Sequence, residues 1–346
     1  MKKTVSLLTL IIFAVSLFSC NSTSAKHTRE SFEYFDTVTT VIGYGMSGVD
    51  FDETADRIFS RLSELHKLYD IYQSYDGIVN LHDVNSVADG VHPTLKVSEE
   101  LMAMLEFSKE MHVLTGGEVN IAMGSVISLW HEKRMTAEQG NAELPDLAEL
   151  TERAKHTDID TLLLDLDAMT VHITDPKTTL DVGATAKGFA VETVARELEA
   201  EGKSGYIINV GGNVRTLGSK PNGEPFVAGI TDPLGISDGG YAEYVNLDGA
   251  ALVTSGSYQR YYTVDGKRYH HIIDKDTLYP SEYFASVSVI SNDSGLADAL
   301  STALFSMSLE EGRSLLSATD RAEAVWMTPS GEKYYSDGFE AKIAKK

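Results

Sequence analysis

Residues 180–190, LDVGATAKGFA, decide how the second half of this 346-residue chain is organised. Their apolar start predicts a strand that ends at Gly183, and the small residues and lysine that follow predict a helix over Ala184–Glu201. Such a helix start suits a phosphate, because free N–H groups, the positive end of the helix dipole and the Lys187 ammonium coincide there. The spacing matches neither a Walker A loop nor G-x-G-x-x-G. Taken alone, the segment is more simply a capped helix with an exposed lysine.

The elements on both sides of this segment predict an α+β fold, with a mixed β-sheet core, flanking helices and a helix-rich first half. Before it, the predicted elements are a strand within Phe32–Tyr44, helices at Phe51–Tyr72, from Ser98 towards Gly116, at Ile121–Lys133 and at Asp146–Lys155, and a hairpin of Thr161–Leu166 with Thr170–Thr174. After it, they are strands at Tyr206–Val210, Phe226–Ile230, Tyr241–Leu247, Ala251–Thr254, Tyr269–Ile273 and Ala285–Ile290, and helices at Gly295–Ser306 and Leu309–Ser317.

Residues 1–19 have the form of a signal peptide, in which two lysines precede an apolar run that is short for a bilayer span. The run ends at Ser19-Cys20, where a small residue precedes the only cysteine of the chain, as in a bacterial lipobox. Lipidation of Cys20 would anchor the exported protein to the outer face of the bacterial cell membrane. An ordinary secretory peptide with a chance cysteine is the alternative interpretation.

The remaining composition limits the domain organisation and the partners. Residues 20–30 are polar and rich in Ser and Thr, which predicts a flexible tether. Residues 31–346 are long enough for one large domain or two merged subdomains. The formal charge of −22 argues against nucleic acid, because Lys and Arg contacts to phosphates dominate that affinity. With no cysteine after Cys20, disulfides, cysteine zinc ligands and a thiol nucleophile are excluded.

Two further segments carry residues suited to a ligand or to catalysis. The paired glycines of Asn209–Asn213 allow close approach of a ligand, or simply form a turn. His270 and His271 are predicted to lie on a strand, where adjacent side chains point to opposite faces. One of them can then be buried while the other lines a cleft as a candidate general base. Two packed histidines are the alternative.

Asp298 and Thr302 are four residues apart in a predicted helix, and they therefore lie on one face, one turn apart. A carboxylate and a hydroxyl are hard oxygen ligands of the kind that magnesium accepts, with waters and substrate phosphates completing the octahedron. The alternative is local: Asp298 complements the helix dipole, and Thr302 hydrogen-bonds within its own helix. Taken singly, this local interpretation is favoured.

Together, these segments resemble the ApbE-like family of FAD:protein FMN transferases, and the resemblance covers most of the chain after the signal peptide. The order and the spacing of the motifs agree as well as their residues. The matching segments are Asp181–Gly188, Asn209–Asn213, Thr254–Tyr258, His271–Asp274 and Ala297–Thr302. A lipobox start is also common in this family. The resemblance implies an FAD cleft between the two halves of the chain.

The resemblance also assigns roles to individual positions. It implies a magnesium ion held by Asp298, Thr302 and the backbone carbonyl of Ala184, with His271 as the catalytic base. The implied FAD contacts are Phe35, Asp70, Tyr72, Asn120, Lys187, Ser257, Tyr258 and Ile273. The predicted activity is magnesium-dependent transfer of FMN from FAD to a Ser or Thr hydroxyl of an exported or membrane-bound acceptor protein, with release of AMP. A magnesium-dependent FAD pyrophosphatase and an inactive FAD-binding lipoprotein are the alternatives.

The chain departs from the pattern of the family at a few positions. Asn120 stands where aspartate is common, and Phe35-Asp36 stands where Met-Gly is common. Lys275 replaces a usual proline, and Leu278 replaces a usual glycine. These departures concern flavin contacts and one loop, and they leave the predicted metal ligands and the histidine intact.

Overall fold

An eight-stranded sheet forms the centre of the structure, a computed structural model that describes residues 25–319 and 321–345. In chain order, the strands are β1 (Lys26–Tyr34), β2 (Thr37–Tyr44), β3 (Leu95–Lys96), β4 (Leu162–Asp165), β5 (Thr170–Ile173), β6 (Tyr206–Val210), β7 (Asn213–Leu217), β8 (Phe226–Thr231), β9 (Tyr241–Leu247), β10 (Ala251–Gly256), β11 (Tyr261–Val264), β12 (Lys267–His270), β13 (Ser286–Ser291), β14 (Ala322–Met327) and β15 (Lys333–Tyr335). The α-helices are α1 (Gly48–Tyr69), α2 (Leu81–Asn85), α3 (Glu99–Leu114), α4 (Gly124–Glu138), α5 (Leu147–Arg153), α6 (Ala186–Ala200), α7 (Ser294–Phe305) and α8 (Leu309–Thr319).

The large sheet has the strand order β1-β2-β6-β7-β10-β13-β14-β15, and each adjacent pair is antiparallel. Helix α7 packs on β10 and β13, while α6 packs on α7, β7 and α1. The apolar faces of these elements bury two large cores, one under α1, α3 and α6 and one under α7. The predicted α+β fold with flanking helices is therefore confirmed, but the central sheet is antiparallel throughout and not mixed. The crossing of α6 with α7 brings two distant motifs together.

Strand β1 corrects the predicted tether. Lys26–Glu30 pairs with Thr40–Tyr44 of β2, so the prediction of a flexible segment is wrong for this part of residues 20–30. Phe35 and Asp36 close the hairpin with φ angles of 53° and 50°, the pair of left-handed residues that a type I′ turn requires. The usual glycine at position 36 fits this geometry, because glycine has no steric penalty at positive φ. The predicted signal peptide and Cys20 lie outside the described residues.

The segment before α6 is extended but is not a strand, contrary to the prediction. Asn85 holds it from α2: its side-chain oxygen accepts the Leu180 N–H at 2.7 Å and its amide donates to the Leu180 carbonyl at 2.9 Å. The Asp181 N–H donates to the Ile121 carbonyl at 2.7 Å. Helix α6 then begins at Ala186, two residues later than predicted. Contacts from the helix-rich first half therefore fix the start of the motif.

The hairpin of β11 and β12 packs on α4 through Trp130. The indole stacks on Tyr269 with ring centroids 6.0 Å apart, and it donates to the Leu278 carbonyl at 2.9 Å. Leu278 has a φ of 61°, so the usual glycine of the family is again replaced at a left-handed position. Because β12 ends at His270, the predicted strand through Ile273 is too long. In the described part of the chain, no helix combines the length and apolar character needed to cross a membrane.

Candidate active site

The crossing of α6 and α7 positions Asp298. A Cβ atom at Gly188 would lie 2.4 Å from both the Asp298 Cβ and the Ser294 carbonyl oxygen, so the close contact of the two helices requires glycine. The Gly188 N–H donates to Asp298 Oδ2 at 2.8 Å. Asp298 is only 4% exposed, and burial raises the pKa of its carboxyl, whereas Lys187 opposes this shift. The carboxylate is thus held by backbone and by charge rather than by its own helix.

Thr302 lies one turn after Asp298, as predicted. Its Oγ1 is 3.3 Å from Ser255 Oγ, which is also 2.8 Å from Ser301 Oγ. Ser255 belongs to β10, so the predicted Thr254–Tyr258 motif starts directly against α7. Within residues 25–319 and 321–345, the hydroxyl of Thr302 is hydrogen-bonded to this strand and not to its own helix.

The Ala184 carbonyl lies at the turn that precedes α6. A regular helix would use the Gly188 N–H to satisfy this carbonyl, since helical N–H groups donate to the carbonyl four residues back. Here the Gly188 N–H is bonded to Asp298 instead, while the neighbouring Phe189 N–H donates to the Thr185 carbonyl at 3.0 Å. Among the described residues, no hydrogen bond reaches the Ala184 oxygen. We call Ala184, Lys187, Asp298 and Thr302 the α6–α7 cluster.

Lys187 is the cation of this cluster. Its Nζ donates to the Gly183 carbonyl at 3.1 Å and lies 3.8 Å from Asp298 Oδ2. Two of the amides at the start of α6 are used within the protein, because the Ala186 N–H donates to the Val182 carbonyl and the Gly188 N–H donates to Asp298. The positive charge that remains available at this helix start is the Lys187 ammonium.

His271 follows β12, and a single backbone group determines its orientation. The carbonyl of Arg260 accepts both the backbone N–H of His271 at 3.1 Å and its ring Nδ1 at 3.2 Å. Desolvation, followed by the positive charges of Arg260, His270 and Lys187, lowers the pKa of His271. As a whole residue, His271 nevertheless keeps exposed surface. By contrast, His270 is buried and bonds to the Ser281 carbonyl at 2.8 Å.

A second group of side chains, the α4 cluster, consists of Tyr72, His131 and Arg134. The sequence analysis identified Tyr72 but missed His131 and Arg134. Tyr72 is 58% exposed, and its ring lies 5.6 Å from that of His131. Arg134 Nη2 is 3.0 Å from His131 Nδ1, while the buried Arg134 Nε has no hydrogen-bond partner among the described residues. Burial raises the pKa of Tyr72 and lowers the pKa of His131. The negative charge of Asp181, at the start of the motif before α6, adds to the first shift and opposes the second.

Arg260 lies near both His271 and Tyr72 of the α4 cluster and was also missed by the sequence analysis. Burial is the main cause of the pKa shifts of His271, Asp181 and Tyr72, and the positive charge of Arg260 lowers the pKa of each. The Arg260 Nη2 donates to the Asp36 carbonyl at 3.4 Å. The signal available in the sequence was weak. His131 and Arg134 share a helix face at a spacing of three residues, and Arg260 lies between two recognised motifs.

Two of the implied FAD contacts use their polar atoms within the protein. Asp70 ends α1, and its carboxylate accepts the Tyr72 N–H at 2.7 Å and the Tyr75 hydroxyl at 2.7 Å. Asn120 donates to the Thr157 carbonyl at 2.8 Å and accepts the Ala122 N–H at 3.0 Å. Both side chains therefore shape loops, and any flavin contact at these positions is made in addition to that role.

The other implied FAD contacts are distributed over several elements. Phe35 lies in the β1–β2 turn, with its ring 5.4 Å from that of His66. Ser257 Oγ donates to the Ala285 carbonyl at 3.2 Å, and burial raises the pKa of Tyr258. Ile273 packs beside Trp130 in the core under the β11–β12 hairpin. FAD contact at these four positions therefore stays a prediction.

A cavity of about 420 Å³ lies beside His270 and not beside His271. Of the implied FAD contacts, only Ser257 lines it, together with Tyr269, Tyr279 and Phe284. None of the α6–α7 cluster borders this cavity. The residues suited to catalysis therefore lie outside this cavity. In the described residues, no three His, Cys, Asp or Glu side chains form a metal-binding group.

The chain is similar to several known proteins. An FAD:protein FMN transferase of Klebsiella pneumoniae is 30% identical over 275 residues, which cover 79% of this chain and 82% of that protein. The FAD:protein FMN transferase of Haemophilus influenzae is 27% identical over 316 residues, covering 88% and 87%. The crystal structure of the ApbE protein from Thermotoga maritima superimposes with a TM-score of 0.81 at 26% identity, covering 93% of this chain and 100% of that one.

The family model gives the most direct assignment. It is described as the ApbE family and matches residues 35–326, which contain both clusters and His271. The match begins at the β1–β2 turn and ends in β14, so it covers the large sheet except for its edge strands β1 and β15 and includes the crossing of α6 with α7. The chain therefore belongs to the ApbE family, the FAD:protein FMN transferases.

Proposed function

We propose that the chain transfers FMN from FAD to a Ser or Thr hydroxyl of an exported or membrane-bound acceptor protein, with magnesium bound by the α6–α7 cluster. The observation that carries this proposal is the buried Asp298 carboxylate at the contact of α6 and α7, which accepts the Gly188 N–H at 2.8 Å and lies 3.8 Å from the Lys187 ammonium. Asp298 and Lys187 are more than a hundred residues apart in the chain, and the packing of α6 on α7 brings them together.

The three oxygens fit a magnesium ion. Magnesium prefers hard oxygen ligands and keeps several waters, so one carboxylate with a hydroxyl and a carbonyl suffices when substrate phosphates complete the shell. Among the described residues, the Ala184 carbonyl accepts no hydrogen bond because the Gly188 N–H is used by Asp298, which supports a ligand role for this oxygen. When bound, the ion would supply charge neutralisation at the diphosphate of FAD.

His271 has the geometry of a general base. Its Nδ1 faces a carbonyl oxygen, which only accepts, so Nδ1 carries the proton and Nε2 presents a lone pair. The acceptor hydroxyl attacks the FMN-side phosphorus, its proton passes to His271 Nε2, and the P–O bond to AMP breaks. FMN is then joined to the acceptor by a phosphoester bond. Lys187 and Arg260, two cations near His271, would bind the phosphate oxygens as charge develops.

The N-terminal segment gives the proposed location. We infer that residues 1–19 direct export and that lipid on Cys20 holds the domain on the outer face of the bacterial cell membrane. The acceptor would then be a protein of the same compartment whose Ser or Thr lies on a segment able to enter the site. Metabolic labelling with a fatty acid would test this, because Cys20→Ser should remove the label.

Asp298→Ala tests the proposed function most directly. With FAD, magnesium and a flavin-acceptor domain, we expect the rate of covalent FMN labelling to fall by about 10³-fold, since the variant loses the only charged ligand of the ion. Asp52→Ala, an exposed carboxylate on α1, is the matched control. Normal labelling by Asp298→Ala would disprove the metal assignment. Free FMN from the wild-type protein, with no labelled acceptor, would indicate a pyrophosphatase instead.

A further inference from the structure

A buried carboxylate ties α6 to the first turn of α7. Glu192, one turn after Gly188, is 5% exposed, and its Oε2 accepts the N–H of Ser294 at 2.8 Å. The same side chain accepts hydrogen bonds from Arg215 at 3.1 Å and from Arg196 at 2.9 Å. A carboxylate at the positive end of a helix is favoured by the helix dipole. The start of α7 is thus held in place by a residue of another helix.

The Asn209–Asn213 motif reaches the same turn from the opposite side. Asn209 accepts the Gly212 N–H at 2.9 Å and so stabilises the turn of paired glycines. Asn213, at the start of β7, is 1% exposed, and its Oδ1 accepts the hydroxyl of Ser294. The motif that appeared to be a simple turn therefore ends in a buried side chain that contacts α7.

The other end of the Asn213 amide points to the contact between the two helices. Its Nδ2 is buried without a hydrogen-bond partner among the described residues. A Cβ atom placed on Gly188 would lie 3.1 Å from this nitrogen and 2.4 Å from the Asp298 Cβ. A movement of Asn213 would therefore change the packing around Gly188, whose N–H holds the Asp298 carboxylate.

We propose that Asn213 is a positioning residue for Asp298 and acts through the hydroxyl of Ser294. Ser294 lies four residues before Asp298, on the same face of α7, so fixing the first turn fixes where the carboxylate points one turn later. This inference rests on the proposed magnesium site. It assigns to Asn213, at the end of the paired-glycine motif, a role in metal affinity.

The test is Mn²⁺ binding to the purified protein, measured by electron paramagnetic resonance without FAD or acceptor. Changing a residue that orients a metal ligand typically costs about 10- to 100-fold in affinity. We expect Asn213→Ala and Ser294→Ala each to raise the Mn²⁺ dissociation constant by about tenfold. Because both act through one hydrogen bond, the double variant should bind no more weakly than the weaker single variant.

Two controls make the result decisive. Leu316→Ala removes a buried side chain from α8 and lowers stability without removing a hydrogen bond to Ser294. If Leu316→Ala and Asn213→Ala have the same melting temperature and bind Mn²⁺ equally weakly, the inference is overturned. It is also overturned by unchanged Mn²⁺ binding in Asn213→Ala, or by strictly multiplicative effects on the dissociation constant in the double variant. Asp298→Ala separates the two proposals. If it binds Mn²⁺ normally, the proposed metal site fails; if it alone loses binding, only the role of Asn213 fails.

Discussion

The α6–α7 cluster and the α4 cluster differ in how the protein satisfies their polar groups. Around α6 and α7, polar atoms bond across elements that are distant in sequence, and Asp298 is only 4% exposed. In the α4 cluster, Tyr72 is 58% exposed, and Arg134 retains a buried Nε without a partner in the described part of the chain. One side of the site is preorganised, whereas the other leaves side chains free for a ligand.

The contrast separates the chemistry from the recognition of the flavin. Groups that stabilise developing charge are effective when they are fixed before the reaction, because they then need no reorganisation. An aromatic ring that stacks on a flavin can be exposed and mobile, because stacking tolerates small shifts. We therefore expect substitutions in or beside the α6–α7 cluster to reduce turnover or stability strongly, and substitutions in the α4 cluster to change mainly the affinity for FAD.

The largest effect is expected for His271→Ala, which removes the base while leaving both clusters unchanged. The rate of FMN transfer at saturating FAD should fall by about 10²- to 10⁴-fold, the usual contribution of a general base. Binding of FAD, followed by flavin fluorescence, should change little. His82→Ala, a partly exposed histidine on α2, is the control. Normal turnover in His271→Ala, with weak FAD binding, would contradict the role of base.

The pH dependence sharpens this prediction. Desolvation and the nearby cations lower the pKa of His271, so the imidazole stays neutral when the pH falls below its ordinary value near 6.5. In the free enzyme, the acid limb of kcat/KM should therefore lie below pH 6.5. The diphosphate of bound FAD brings negative charge that opposes these cations, so the acid limb of kcat should lie at a higher pH. If the acid limbs of the kcat/KM and kcat profiles coincide at or above pH 6.5, this electrostatic account is wrong.

Gly188→Ala tests whether the α6–α7 side is as rigid as its contacts suggest. The new methyl group would meet the Ser294 carbonyl and the Asp298 Cβ at 2.4 Å, and neither can move without shifting a helix. We expect a loss of about 1–3 kcal/mol in the free energy of unfolding, measured with urea, together with reduced transfer. Gly48→Ala is the control, because its Cβ would meet only His27, at 3.6 Å. Equal stability in the two variants would contradict a rigid crossing.

Local patterns were sufficient for much of the fold. The boundaries of β6 and β9 agree with the predicted strands, and α3 follows Ser98, whose hydroxyl accepts the Leu101 N–H at 3.2 Å. These elements could be predicted because alternation and capping are encoded within a few residues. In contrast, β1 was missed because its residues are polar on both faces, and only pairing with β2 makes it a strand.

The site was less accessible to sequence reasoning than the fold. The family resemblance supplied Asp298, Thr302 and His271, but spacing alone favoured a local interpretation for each. The bond from Gly188 to Asp298 joins residues 110 positions apart, and no local pattern encodes such a contact. Arg260 was missed for the same reason, because its importance depends on charges that only the folded chain brings near it.

The smallest effect is expected for Tyr72→Ala, which removes the most exposed ring of the α4 cluster. Stacking between aromatic rings contributes about 0.5–1.5 kcal/mol, so KM for FAD should rise by about two- to tenfold while kcat changes little. Because the side chain is 58% exposed, the free energy of unfolding should stay within about 0.5 kcal/mol of the wild-type value.

Tyr72→Phe distinguishes stacking from hydrogen bonding in this prediction. It keeps the ring that lies 5.6 Å from His131 but removes the hydroxyl, so KM for FAD should return close to the wild-type value. A KM as high as that of Tyr72→Ala would assign the effect to the hydroxyl. A large loss of stability in either variant would mean that this side of the site is as rigid as the α6–α7 crossing, and the distinction between the two clusters would no longer hold.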